Sequence, residues 1–261
     1  MVKVGVFGAN GRVGRLLIEL VGAHKDCTLS AVFVRSGFGA NSPQACLEGT
    51  LITNDLERFL QACEVVIDFS LPEATLTLLK AMQSTPKPLV CGTTGLEAEA
   101  FALLDSLALK VPVLYATNMS RGVAILNKAI AMVAKSFGDA DIEICEIHHR
   151  NKKDAPSGTA LTLAHTCANA RNLDLEKVRV SGRDGDIGAR SDDEIAVMSL
   201  RGGDVAGRHV VGFYADGEYL EFLHNATSRL TFAKGALDAA IWLKGRAPKR
   251  YEIGDLFEAQ C

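Results

Sequence analysis

Residues 141–165 read DIEICEIHHRNKKDAPSGTALTLAH, and the middle of that stretch crowds together side chains able to move protons and hold anions. His148 and His149 bring two imidazoles, the side chain most often used as a general acid. Arg150, Lys152 and Lys153 add cations within a few residues. Asp154-Ala155-Pro156-Ser157-Gly158-Thr159 then reads as the start of a helix, where free backbone N–H groups and a polar side chain near Ser157 make an anion site. Cationic donors beside such a terminus suit a small molecule carrying carboxylates or phosphates. A solvated basic loop capping an ordinary helix is the plainer alternative, and residue types alone leave both open. A metal site on the two histidines is disfavoured, because adjacent strand residues face opposite ways and no third ligand stands at a suitable spacing. Cys145, in an apolar run, lacks the electropositive setting of a reactive thiol.

A second piece of chemistry sits at the other end. Gly8-Ala9-Asn10-Gly11-Arg12-Val13-Gly14 follows an apolar run directly, as a turn that binds a dinucleotide does. Its first glycine gap is one residue longer than in G-x-G-x-x-G, so the pattern alone equally fits a tight strand–helix turn. An NAD-binding turn would offer an acid to the ribose about twenty residues on. Val34-Arg35-Ser36 stands there instead, and an arginine suits a 2′-phosphate. The expected cofactor is NADPH, with NADH possible; the alternative for Arg35 is a plain surface residue.

The string Glu146-Ile147-His148-His149-Arg150-Asn151-Lys152-Lys153-Asp154-Ala155-Pro156-Ser157-Gly158-Thr159 resembles the signature of the dihydrodipicolinate reductase family, E-[LIV]-H-H-x-x-K-x-D-x-P-S-G-T. Every fixed position is filled. The family often has His where Asn151 stands and an apolar residue where Lys153 stands. The turn at 8–14 is similar to the family's G-A-x-G-R-M-G, with Val13 in the methionine's place, and the resemblance runs on to the final helices. It implies an NAD(P)H-dependent reduction of dihydrodipicolinate (4-hydroxy-tetrahydrodipicolinate) to tetrahydrodipicolinate on the diaminopimelate route to lysine. It also implies roles: His148 as the acid, Lys152 as a second proton donor or charge stabiliser, His149 against the substrate, and Gly158 with Thr159 holding a carboxylate. Gly92-Thr93-Thr94 and Ala116-Thr117-Asn118-Met119 match the segments that touch the ribose and nicotinamide. Another amino-acid-pathway dehydrogenase on the same fold is the nearest rival, and a dinucleotide-binding sensor without turnover a more distant one.

These residues need elements to hold them. Residues 2–7, 29–34, 64–69, 89–91 and 111–115 read as buried strands, alternating with helices up to about residue 22, over 72–82 and over 97–109. That alternation predicts an α/β architecture, a Rossmann-like doubly wound parallel sheet. Residues 35–50 read as a Gly/Ser/Pro/Asn-rich loop. After Asn118 the texture changes to a long apolar helix over 123–137, the stretch described first, and a polar, glycine-spaced segment over 171–193 read as a mobile loop. Runs at 194–200, 205–214 and 218–225, separated by Gly202-Gly203 and Asp216-Gly217, predict an antiparallel meander in a second, α+β domain for substrate binding and oligomerisation. The expected division is 1–118, completed by 229–261, and 119–228; the resemblance supplies the return of the C-terminal helix, read over 231–244, to the first domain. The apolar alternation at 210–222 exceeds what one small domain buries, and long apolar edges tend to be covered. The resemblance implies a homotetramer through the 194–225 sheet.

Length and composition bound the rest. A chain of 261 residues, 48% hydrophobic and 23% charged, fits one large or two modest soluble domains. Its net charge of −3 offers no attraction to nucleic acid or an anionic membrane, and no apolar run approaches a membrane span. Seven scattered cysteines without a C-x-x-C pair argue against zinc and against a disulfide framework. The N-terminus enters a strand with no signal-peptide pattern, and the expected location is the reduced cytoplasm.

Overall fold

A computed structural model describes residues 1–35, 37 and 47–258. Ser36, Cys46, Cys261 and most of the loop read at 35–50 lie outside the described residues. The chain divides into two compact units, Met1–Arg121 with Arg229–Cys261, and Gly122–Ser228.

The first unit opens with strand β1 (Val2–Phe7), helix α1 (Arg12–Ala23), β2 (Cys27–Phe33), β3 (Leu51–Thr53), α2 (Leu56–Ala62), β4 (Val65–Asp68), α3 (Pro72–Met82), β5 (Leu89–Cys91), α4 (Ala98–Ala108) and β6 (Val113–Tyr115). Strands β1 and β4 are buried nearly throughout, because a parallel sheet is covered on both faces. Leu17, Ile18 and Val21 form the buried stripe of α1, at helical spacing. Pro72 starts α3, where its missing N–H has no intrahelical partner to lose. The short β3 and α2 were not foreseen. Their signal is present in Asp55, whose carboxylate caps the backbone N–H groups of Glu57 and Arg58, and in the buried pair Phe59 and Leu60.

The second unit contains α5 (Arg121–Ser136), which begins at the boundary, then β7 (Asp141–His148), α6 (Gly158–Ala170), α7 (Leu175–Val178), β8 (Arg179–Val180), β9 (Ile195–Arg201), β10 (Gly207–Ala215) and β11 (Glu218–Ala226). The chain then returns to the first unit as α8 (Leu230–Leu243), β12 (Arg250–Tyr251) and α9 (Asp255–Glu258).

The first sheet runs β12-β6-β5-β4-β1-β2-β3, with all pairs parallel. Helices α1 and α8 pack one face around Val4, Val6, Leu17, Ile18, Ala236 and Leu237. Helices α2 to α4 pack the other around Phe59, Leu60, Leu78, Leu104 and Leu107. This is the expected doubly wound arrangement. The strand order reverses between β1 and β4, where open α/β sheets bind ligands outside their carboxyl ends.

The second sheet runs β11-β10-β7-β9-β8. It corrects the expected meander: β10 and β11 form an antiparallel hairpin, but β7 lies between β10 and β9, parallel to β9. Gly202-Gly203 therefore closes no hairpin. It carries the chain across the end of β7, with Gly202 N–H donating to His148 O at 2.9 Å and Arg150 N–H donating to Gly203 O at 3.1 Å. One face of this sheet is covered by α5 and α6 around Ile130, Ile142, Ile144, Leu163, Val211 and Phe213. The polar segment after α6 contains α7 and β8, and its arginines tie it down. Arg183 pairs with Glu143 and Glu194, while Arg190 pairs with Asp141 and Glu143. Among the described residues no helix is long and apolar enough to cross a membrane.

Candidate active site

In the first unit a cleft of about 530 Å³ lies at the carboxyl ends of β1, β2, β4 and β5. The turn of Gly8, Ala9, Asn10, Gly11, Arg12 and Val13 lines it, together with Arg35, Phe69, Ser70, Gly92, Thr93, Thr94 and Arg229. Two glycines of the turn are irreplaceable for geometric reasons. Gly8 has φ +83°, and a Cβ there would sit 2.5 Å from Phe69 O; a Cβ on Gly14 would sit 2.2 Å from Gly8 O. The backbone can thus fold closely over the start of α1. Gly11 is the N-cap and brings no side chain to the first N–H groups of the helix, so they remain for an anion. These features fit a pyrophosphate. Arg35 is exposed at the lip. Ala116, Thr117, Asn118 and Met119 follow β6 and do not line this cleft; Asn118 Oδ1 accepts from Ser120 N–H at 2.8 Å, and Met119 is buried.

Beneath the cleft lies a buried acid that the residue types did not advertise. Asp68 ends β4, fully buried, and accepts from Thr75 Oγ1 at 2.6 Å and from Ser70 N–H at 2.9 Å. Thr75 also bonds Thr93 Oγ1 at 2.9 Å, which ties the β4–α3 and β5–α4 turns together. Burial raises the Asp68 carboxyl to about 6, against the lowering by bonds from Thr75, Ser70 and Thr93.

In the second unit β7 delivers His148 at its last residue, buried, with Glu146 two residues earlier on the same face. His148 Nδ1 lies 2.6 Å from Glu146 Oε2. Arg201, at the end of the neighbouring β9, grips the same carboxylate with both terminal nitrogens, at 2.9 and 3.0 Å, and Ser157 N–H donates to it at 3.1 Å. Burial pushes the Glu146 carboxyl up, but the bonds from His148 and Arg201 win and hold it at about 2. Ser157 caps α6, its Oγ accepting from Ala160 N–H at 3.2 Å. Gly158 therefore starts that helix and Thr159 lies buried in its first turn. Lys152 Nζ bonds Asp154 Oδ1 at 2.8 Å, and Lys152 N–H donates to His149 O at 3.0 Å, so the loop between β7 and α6 is compact. His149 is half-buried just past the strand. Residue types gave no sign of His209, buried on β10, with its ring edge-on to His148 at 5.2 Å and its Nε2 3.3 Å from Ser157 Oγ. Burial and the neighbouring His148 lower it to about 3, so it is neutral. Cys145 is pushed upward by burial, and among the described residues no group of three His, Cys, Asp or Glu is placed to hold a metal.

A seven-stranded doubly wound sheet with a glycine turn at its switch point, joined to a mixed-sheet unit carrying an imidazole beside a helix N-terminus, defines a two-unit dehydrogenase of the dinucleotide-binding class. Residues 2–119 match the model for the N-terminus of dihydrodipicolinate reductase and residues 122–257 the model for its C-terminus. The chain belongs to the dihydrodipicolinate reductase family. It is 60% identical over 256 residues to the 4-hydroxy-tetrahydrodipicolinate reductase of Wolinella succinogenes, covering 98% of each protein. Among solved structures it resembles the dipicolinate-bound dihydrodipicolinate reductase of Paenisporosarcina sp. TG-14, with TM-score 0.75 and 22% identity over 97% of each chain. Its fold is shared with scyllo-inositol dehydrogenase from Lactobacillus casei, solved with NAD(H) and scyllo-inositol, at TM-score 0.62 and 11% identity over 94% of this chain and 88% of that one.

Proposed function

We propose that this chain is a 4-hydroxy-tetrahydrodipicolinate reductase of the diaminopimelate route to lysine. Substrate, NAD(P)H and a proton give tetrahydrodipicolinate, NAD(P)⁺ and water. The bound nicotinamide supplies the hydride. The residues of the chain do the rest: the turn at 8–13 and the N-terminus of α1 hold the pyrophosphate, with Gly92, Thr93, Thr94 and the segment 116–119 toward the ribose and nicotinamide. Arg35 selects a 2′-phosphate, which favours NADPH over NADH. His148 gives the proton, Lys152 stabilises charge or gives a second proton, and His149, Gly158 and Thr159 bind the substrate's carboxylates. The observation that carries this reading is the Glu146–Thr159 string, which fills every fixed position of the family signature. It spans a strand end and a capped helix N-terminus. The working enzyme is a cytoplasmic homotetramer assembled through the 194–225 sheet.

The test is oxidation of NADPH and of NADH followed with the product of dihydrodipicolinate synthase and with aspartate semialdehyde, and reduction of NADP⁺ and of NAD⁺ followed with homoserine. Turnover confined to the synthase product, faster with NADPH, is expected. Turnover with homoserine or aspartate semialdehyde alone would move the chain to another dehydrogenase activity, and dinucleotide binding without any turnover would make it a sensor.

A further inference from the structure

The second unit holds a buried carboxylate on which four hydrogen bonds converge. Glu146 is fully buried and accepts from His148 Nδ1, both terminal nitrogens of Arg201, and Ser157 N–H. We infer that Glu146 is the positioning residue of the proton donor: clamped by Arg201, it takes the Nδ1–H of His148 and leaves Nε2 as the nitrogen that exchanges its proton with substrate. This inference rests on the proposed role of His148 and adds to it which nitrogen works and what aims it.

The argument is one of donors and acceptors. An ionised carboxylate only accepts, and Arg201 with the Ser157 amide ensures that Glu146 is ionised. A nitrogen 2.6 Å from it must therefore carry the hydrogen, which fixes the neutral ring as the Nδ1–H form. The other nitrogen faces Gly207. A Cβ on Gly207 would come within 3.0 Å of His148 Nε2, and glycine keeps that side clear. The remaining charged or titratable groups nearby do not compete for Nδ1. His209 presents its ring edge-on at 5.2 Å with its Nε2 against Ser157, and Lys152 is engaged by Asp154. Arg201 also donates to Asp154 O at 2.6 Å, so the clamp ties β7, β9 and the 149–157 loop into one unit. A purely structural ion pair is the competing explanation, and it makes different predictions.

The experiment is a cycle of Glu146→Gln and His148→Gln, singly and together, in the full-length enzyme. If Glu146 acts through His148, Glu146→Gln lowers kcat about 10–100-fold, a part of what a general acid contributes, with KM and cofactor affinity near normal. In the His148→Gln background the same change then costs nothing further. Glu146→Asp restores part of kcat. Nitrogen chemical shifts of the His148 ring in alkaline solution report Nδ1–H in the wild type and a mixture of tautomers in Glu146→Gln. Equal loss in both backgrounds, or an Nε2–H ring in the wild type, overturns the inference. Removing one partner of a buried pair is strongly destabilising, so if Glu146→Gln fails to fold, Glu146→Gln/Arg201→Met removes both charges and carries the same cycle. Failure of the functional reading looks different: the wild type does not reduce the synthase product, or folded His148→Gln keeps its kcat. The ring shifts then decide by themselves whether Glu146 sets the tautomer.

Discussion

At the scale of single residues, the site depends on which groups are charged. If His148 is the acid, folded His148→Gln retains NADPH binding and loses about 10²–10⁴-fold in kcat. Lys152→Ala lowers kcat and raises KM, whereas His149→Ala chiefly raises KM, the mark of uniform binding. Near-normal kcat in folded His148→Gln would place the acid elsewhere. Arg35→Ala should weaken NADPH selectively by about 1.5–3 kcal/mol, and equal losses with NADH and NADPH would refute its assignment to the 2′-phosphate. Asp68 makes a prediction about pH. Its folded value is about 6 against an ordinary 3.8, so between those values the folded chain keeps a proton that the unfolded chain has released. Stability then falls as pH rises through that window, by on the order of 2–3 kcal/mol, and stays lower above it. Asp68→Asn removes the slope, so its melting temperature relative to wild type should rise between pH 4 and pH 7. His209, held at about 3, works in the opposite sense, withdrawing stability as pH falls below 6.5 toward 3. It is common to both chains and drops out of the difference. A melting difference that is flat with pH would show that Asp68 does not titrate there.

At the scale of elements, glycines set how closely the pieces approach. Gly235 lies inside α8, where an interior glycine ordinarily weakens a helix. A Cβ there would sit 1.8 Å from Met119 O, so α8 is pressed against the segment that follows β6. Gly235→Ala must push that helix off its seat. The expected loss is about 1–3 kcal/mol or more, seen as a melting temperature lower by several degrees. Unchanged melting would mean that the helix shifts freely. Much of this level was legible. The helices read up to about residue 22, over 72–82 and over 97–109 correspond to α1, α3 and α4, and Pro72 is the first residue of α3. The short β3 and α2 escaped because three- and seven-residue elements offer too few periods to stand out from a loop.

At the scale of the whole molecule, the second sheet has one face packed under α5 and α6, and its other face carries exposed apolar side chains. Strand alternation puts Val210, Tyr214, Tyr219 and Leu223 on that other face of β10 and β11, with Val210 directly opposite Leu223. Leu223 is 58% exposed, and Leu200 on β9 is 52% exposed. Such an apolar patch favours another protein surface over water. Light scattering should report a tetramer, and Val210→Asp/Leu223→Asp should dissociate it while each subunit keeps its fold. A monodisperse, active wild-type monomer would sink the proposal.

The sequence by itself determined what is local. The strand–turn–helix at 2–23, the alternation that makes a doubly wound sheet, and the contiguous string from Glu146 to Thr159 all depend on neighbours in the chain, so their residue types suffice. Tertiary structure decided what depends on distant partners. It placed β7 between β9 and β10, because strand pairing is chosen by long-range burial and not by the glycines of an intervening turn. It joined Glu146 to Arg201, 55 residues on, and Asp68 to Thr75 and Thr93. A buried charge becomes tolerable only where such partners converge, and no spacing along the chain announces where that will be.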